Sequence, residues 1–153
     1  MKHTEEQRKQ AERARRWLGR YRWVAAEVEL LEDTIQNLRE AYDRISSAFA
    51  ALGVASGSPG DKVADAAEKT VTAEEQLVER LAEKSATLAE IEHTLDKVEN
   101  DLYRVMLKQY FIGDCKTWPE VAASIDYSEA HTYHIVTDAL LSVALPGENE
   151  SSQ

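Results

Sequence analysis

Apolar residues recur along residues 17–52 at intervals of four and three, with charged and amide side chains on the other faces. This spacing is typical of a coiled coil, in which a narrow apolar seam of a long helix faces a partner. The pattern predicts one continuous helix from Trp17. Its seam comprises Trp17, Tyr21, Val24, Val28, Leu31, Ile35, Leu38, Tyr42, Ile45, Phe49 and Leu52.

A second segment of the same kind follows residues 53–60. Three glycines, two serines and a proline in that stretch predict a turn, after which Asp61 is suited to cap the next helix. The second seam is interrupted at Glu74 and Lys84. It comprises Val63, Ala67, Thr70, Leu77, Leu81, Leu88, Ile91, Leu95, Val98 and Leu102. We expect residues 1–100 to form an antiparallel helical hairpin.

Such a hairpin buries only one stripe on each helix, and a pair of this kind is marginal in isolation. We therefore expect self-association through the seam of residues 17–52, giving a dimer or a larger homo-oligomer. The alternative is a monomer in which the hairpin folds back on the carboxy-terminal residues.

The pattern changes in residues 101–145, where it predicts three short helices. The first would pack through Leu102, Val105, Met106, Tyr110 and Phe111. The second would bury Trp118, Val121, Ala122 and Ile125, and the third Thr132, Ile135, Ala139 and Leu140. Ser128 is suited to cap the third helix. Asp126 stands in the turn before it, where a residue that tolerates positive φ is needed. Tyr127 is expected in the core, and the polar residues 146–153 are expected to be disordered.

This region resembles the sigma-70 region 4 type of helix-turn-helix. Residues 14–145 as a whole resemble phage-encoded transcriptional regulators with such a domain, including late-gene activators of the RinA and ArpU kind. The resemblance rests on ARRWLGRYRW at 14–23, GDKVADAAEK at 60–69, and on Tyr103, Tyr110, Trp118, Val121, Ala122, Tyr127, Ser128, Ala139 and Leu140. It implies an all-α protein of the bacterial cytoplasm that binds promoter DNA or the transcription machinery. By resemblance, the residues facing DNA or a partner are Glu129, Ala130, His131, Tyr133, His134, Thr137 and Asp138.

Charge is distributed unevenly along the chain, whose net charge is −10. Residues 101–153 carry three Lys and Arg and eight Asp and Glu. Residues 1–23, in contrast, carry eight Lys and Arg and three Glu. Binding to phosphates needs cations. If DNA is bound, we expect phosphate contacts from Arg15, Arg16, Arg20 and Arg22. The same basic segment is also compatible with a solvated helix end, or with pairing to an acidic surface of its own or a second chain.

Two other functions remain open. The acidic third helix is compatible with an interaction protein that docks RNA polymerase or another host or phage protein instead of DNA. A packaging protein akin to the small terminase subunit also combines a helix-turn-helix with oligomerising helices, although there the DNA-binding domain usually comes first.

Catalytic and metal-binding patterns are weak throughout. His131 and His134 are three residues apart, but His93 and Cys115 are the only other soft ligands and nothing in the sequence places them nearby. The chain has no P-loop, no cofactor fingerprint and no nucleophile paired with a base, so an enzyme is not expected. The single cysteine makes no internal disulfide, and no apolar run is long enough for a bilayer. We expect a cytoplasmic protein.

Overall fold

The computed structural model describes residues 2–52 and 58–147, and all regular secondary structure in these ranges is α-helical. The predicted all-α class is confirmed. The helices of the described residues are α1 (Glu5–Leu18), α2 (Arg20–Leu52), α3 (Ser58–Asp96), α4 (Asp101–Phe111), α5 (Trp118–Ile125) and α6 (Glu129–Leu141). The predicted disordered tail falls mostly on residues 148–153, which lie outside the described residues.

The chain divides into two compact units. Unit 1 contains residues 1–23 and 85–153, and unit 2 contains residues 24–84. This division differs from the predicted one, which separates a hairpin of residues 1–100 from a module of residues 101–145. The structure groups the amino-terminal helix and the end of α3 with α4, α5 and α6, because all of them contribute to one apolar core.

The core of unit 1 is formed where α1, the end of α3 and the three short helices meet. α1 packs against α6, and its buried side chains Ala11 and Ala14 are small enough for a close approach. The buried members of this core are Ala11, Ala14, Leu18, Ile91, Leu95, Val98, Met106, Leu107, Phe111, Trp118, Val121, Val136, Ala139, Leu140, Val143 and Leu145.

The helix predicted as continuous from Trp17 is interrupted at Gly19. α1 ends at Leu18 and α2 begins at Arg20. The Gly19 N–H still donates to the Arg15 carbonyl oxygen, at 2.9 Å, but glycine is among the poorest helix formers. The interruption separates α1, with most of the basic residues of the amino terminus, from the long helix α2.

In unit 2, α2 and α3 pair in antiparallel orientation, as the two seams predict. Glu27 is paired with Arg80 at 2.9 Å, and Arg39 with Glu74 at 2.8 Å. The number of the α3 partner falls as the number on α2 rises, so the helices run in opposite directions. The fully buried apolar side chains of this unit, among the described residues, are Val24, Val28, Ile35 and Ala73.

The seam of residues 17–52 is therefore used within the chain. Val24, Val28 and Ile35 are buried in a single copy, while Leu31 and Leu38 are half-buried. Self-association through this seam stays a prediction, since part of the seam is already buried within one copy. An intrachain helix and a second copy bury the same heptad positions, so the pattern alone does not distinguish them.

The predicted turn at residues 53–60 overlaps the start of α3. α3 begins at Ser58, so Asp61 lies in its first turn and is not its cap; residues 53–57 lie outside the described residues. Proline is tolerated in the first turn of a helix, where its missing N–H would have no intrahelical acceptor. The Pro59 position is therefore compatible with helix, contrary to the expectation.

Six positions expected in a core or seam are exposed: Tyr42, Leu52, Ala67, Leu81, Val105 and Tyr127. On α4 the buried residues are Met106, Leu107 and Phe111. Leu107, which was not predicted as a core residue, is buried, whereas Val105 is exposed. The side of α4 that packs against the core is therefore broader than a single row of residues. On α3 the buried position between Ala67 and Leu81 is Ala73.

Candidate nucleic-acid interface on α6

The connection between α5 and α6 consists of Asp126, Tyr127 and Ser128. Asp126 has φ 61° and ψ 40°, the left-handed conformation predicted for this turn. The N–H groups of Asp126 and Tyr127 both donate to the carbonyl oxygen of Ala122. The Ser128 hydroxyl accepts from the His131 N–H at 3.1 Å and caps α6 as predicted. The turn therefore satisfies the backbone groups at the end of one helix and the start of the next.

One side of α6 is buried in the core of unit 1. Its buried residues are Thr132, Val136, Ala139 and Leu140, and Ile135 is half-buried. The hydroxyl of Thr132 donates to the Ser128 carbonyl oxygen at 2.9 Å, so its polar atom is satisfied at no cost to the core. This burial orients α6 and fixes which residues face outward.

The outward face of α6 carries most of the residues assigned to it by resemblance. Glu129, Ala130, His131, Tyr133 and His134 are exposed. The two remaining residues, Thr137 and Asp138, are half-buried. Within the first two turns, the face presents one carboxylate, two imidazoles and a phenol, with no lysine or arginine.

Tyr127 belongs with this face and not with the core. Its side chain is exposed, and its ring lies 5.3 Å from the His131 ring in an edge-to-face arrangement. Tyr133 is 56% exposed on the neighbouring turn. The face therefore includes two accessible tyrosines.

The amino-terminal end of α1 covers the far end of the α6 face. His3 Nε2 lies 2.6 Å from Asp138 Oδ1. A cleft here is lined by Lys2, His3, Gln7, His134 and Asp138. Sequence reasoning missed Lys2 and His3, because it assigned α1 to a hairpin. The signal was the spacing of Ala11, Ala14 and Leu18, which gives α1 an apolar side of its own.

The start of α1 is held by a capping box. The Thr4 hydroxyl accepts from the Gln7 N–H at 3.1 Å, and the Gln7 side chain accepts from the Thr4 N–H at 2.9 Å. These bonds fix the end of the helix close to His3. The carboxylate of Asp138, which would otherwise repel phosphate at this face, thus faces an imidazole and a nearby ammonium group.

The four arginines predicted to contact phosphate fall into two groups. Arg15 and Arg16 are exposed and lie near Glu12, and exposed Arg20 is paired with Glu90 at 3.3 Å. Exposed ion pairs of this kind are weak and exchange easily with other anions.

Arg22 differs, because its guanidinium is half-buried inside unit 1. It donates to the carbonyl oxygens of Tyr110 and Cys115, the latter at 3.0 Å, and lies 4.1 Å from the centroid of the Tyr110 ring. The structure gives this residue an internal role in place of the predicted phosphate contact.

Packing α1 into unit 1 changes the electrostatics of the candidate interface. Unit 1, residues 1–23 and 85–153, carries 12 Lys and Arg and 15 Asp and Glu, so its net charge is only −3. Residues 24–84, which form unit 2, carry six Lys and Arg and 13 Asp and Glu. The acidic balance of residues 101–153, counted alone, is offset by the helix that packs on them.

In the described ranges, the structure holds no group of three His, Cys, Asp or Glu side chains arranged to bind a metal. His131 and His134 share the α6 face without a third ligand. No described helix has the length and apolar character needed to cross a membrane.

Comparisons of the chain with protein-family models, with curated proteins and with solved structures find no match.

Proposed function

We propose that unit 1 is the DNA-binding part of a phage or prophage transcriptional regulator, and that α6 enters the major groove. The observation that carries the proposal is the α5–α6 connection. Two short helices are joined by three residues, the first of them in the left-handed conformation, and the second helix exposes the face assigned by resemblance. A helix presented in this way fits the width of the major groove.

The charge on α1 supports the same proposal. The basic residues of α1 belong to the same compact unit as α6, so one body supplies both a helix for base edges and cations for phosphates. Arg8, Lys9, Arg15 and Arg16 are exposed on α1. Glu129 would accept from the amino group of cytosine, and His131 or Tyr133 would contact base edges or phosphate.

The test is selection of duplexes from a random-sequence library by the full chain, followed by anisotropy titration of the selected duplex at several salt concentrations. Replacing Arg15 and Arg16 by Gln should weaken binding and flatten its salt dependence by about 0.9 in slope for each lost contact. The double variant Arg44→Gln, Lys69→Gln, an equal loss of charge on exposed residues of unit 2, is the control and should leave the affinity and the salt slope unchanged. Glu129→Gln should alter the preferred sequence. Failure of the wild type to enrich any duplex would refute the proposal.

A second function is favoured by one observation, the composition of the exposed α6 face. That face has no lysine or arginine and displays Tyr127 and Tyr133, and aromatic side chains are enriched at protein interfaces. Under this proposal, α6 docks a protein of the transcription machinery. Binding of purified RNA polymerase by the full chain, lost in Tyr133→Ala and kept in Arg15→Gln, would support it over DNA binding.

A further inference from the structure

One flank of α3 in unit 2 is apolar and faces solvent. Val71 is 52% exposed, Val78 67% and Leu81 43%, and the neighbouring alanines on this flank are exposed as well. We call this surface the α3 stripe, and it consists of Ala64, Ala67, Val71, Val78, Leu81 and Ala82. Its first five members recur at intervals of three, four and seven, the heptad spacing of a helix that packs along another helix, and Ala82 lies next to Leu81.

The absence of charge on the stripe contrasts with the rest of its unit. Residues 24–84 carry 13 Asp and Glu against six Lys and Arg, yet no member of the stripe is ionisable. Glu74 lies between Val71 and Val78, and its carboxylate is already paired with Arg39 at 2.8 Å. A groove beside the stripe includes Ala67, Val71 and Glu74, with Arg39 and Asp43 on its α2 side. The α2–α3 pair is strongly acidic, but the α3 stripe carries no charge. A second acidic chain can therefore pack on the stripe without repulsion from its members.

The packing of unit 2 indicates that this face needs a partner. Val24, Val28, Ile35 and Ala73 are its buried apolar side chains among the described residues. Two helices that pack through a single apolar seam bury less apolar surface than an independently stable unit needs. Burying two valines and a leucine from each of two copies would add to the apolar burial of this unit.

We propose that the α3 stripe packs against the same stripe of a second copy, with the two α3 helices antiparallel. The stripe is complementary to itself in this orientation. When Val71 lies beside Val78 of the second copy, Ala67 lies opposite Ala82 and next to Leu81, so that apolar residues face one another along the stripe. The two Arg39–Glu74 pairs then lie near the two-fold axis, where the two guanidinium groups offset the repulsion between Glu74 and Glu75 of opposite copies. This isologous contact closes after two copies.

The first test is sedimentation equilibrium of the full chain with one charge placed on the stripe. Val78→Glu should raise the dimer dissociation constant by about 100-fold or more, because a dimer would bury two unpaired carboxylates. The matched control is Leu30→Glu, since Leu30 is 65% exposed and lies in a separate groove with Glu27, Gln76, Glu79 and Arg80. Both side chains are exposed, so helicity by circular dichroism should stay unchanged in both variants.

The second test is oxidative cross-linking in a Cys115→Ser background. An equal mixture of chains carrying Val71→Cys and Val78→Cys should give a mixed disulfide dimer, whereas Leu30→Cys chains should not cross-link. A wild type that is monomeric at tens of micromolar would overturn the proposal. So would a dimer that Val78→Glu leaves intact, or one that Leu30→Glu dissociates equally. Cross-linking of Val78→Cys with itself but not with Val71→Cys would overturn the antiparallel arrangement.

Discussion

The rings of Tyr110 and Trp118 stack with their centroids 3.9 Å apart and their planes within 2° of parallel. Tyr110 is on α4 and Trp118 is the first residue of α5, so the stack joins the two helices across the loop of residues 112–117. Phe111 completes the group with edge-to-face contacts to both rings. This aromatic cluster sets the position of α5, and through the α5–α6 turn it sets the position of the candidate interface.

Trp118→Ala should destabilise unit 1 by about 3 to 5 kcal/mol, since it removes a large buried side chain and the stack with Tyr110. Chemical denaturation of the full chain, followed by near-ultraviolet circular dichroism, measures the loss. Trp23→Ala is the control, because Trp23 is exposed and should contribute little. Equal stability of Trp118→Ala and the wild type would show that the stack does not hold α5.

Arg22→Gln should cost about 1.5 to 3 kcal/mol of stability, the range for hydrogen bonds to a charged donor that is partly buried. The variant leaves the Tyr110 and Cys115 carbonyl oxygens without their guanidinium donor and removes its contact with the Tyr110 ring. Arg20→Gln removes contacts that all lie at the surface: the pair with Glu90, a hydrogen bond to the Trp17 carbonyl oxygen and a contact with the Trp17 ring. It should cost about 1 kcal/mol, less than Arg22→Gln. Urea denaturation midpoints of the two variants compare them directly, and a larger loss for Arg20→Gln would contradict the assignment.

Much of the fold follows from periodicity, because each segment has one apolar side that must be buried. The antiparallel α2–α3 pair, the α5–α6 turn and the inward side of α6 were all predictable in this way. Asp126 was predictable for another reason, since its left-handed backbone is a local property that few residue types adopt. These features depend on neighbours in sequence, which the chain displays directly.

The errors arise where the partner of an apolar side is distant in sequence. The apolar side of α1 could pack within the predicted hairpin or against α6. The pattern of residues 1–23 is the same in both cases and does not distinguish them. His3 and Asp138 are 135 residues apart, so no local spacing indicates their contact. Arg22 was assigned to phosphate because it belongs to the basic segment of residues 1–23, whereas its acceptors are backbone oxygens that the sequence does not distinguish.

The contact between Asp96 and Lys108 should make the free energy of unfolding depend on pH. Lys108 Nζ lies 2.5 Å from Asp96 Oδ1, and this hydrogen bond holds the pKa of Asp96 below its ordinary value. The pKa of Asp96 is lower in the folded protein than in the unfolded chain. The contact therefore contributes fully to the free energy of unfolding above the unfolded pKa, and this contribution is lost as the pH falls through the folded pKa. Lys108→Met should raise the pKa of Asp96 toward its ordinary value in an NMR titration of the carboxyl carbon. Lys97→Met should leave it unchanged, and the same pKa in both variants would contradict this cause.

The left-handed conformation of Asp126 predicts opposite effects for two small substitutions. Asp126→Gly should be neutral or slightly stabilising, because glycine adopts positive φ without steric cost. Asp126→Ala should destabilise by about 1 to 2 kcal/mol, since a Cβ without a polar group is strained in this region.

Asp114→Ala is the control for that pair, because Asp114 lies in the loop before α5 and does not have positive φ. Thermal denaturation of the four chains measures the differences. The expected order of stability places Asp126→Gly at or above the wild type, Asp114→Ala close to it and Asp126→Ala below. If alanine and glycine at position 126 are equally stable, the turn does not require the left-handed conformation. The α5–α6 connection that carries the proposed DNA-binding function would then need a different geometry.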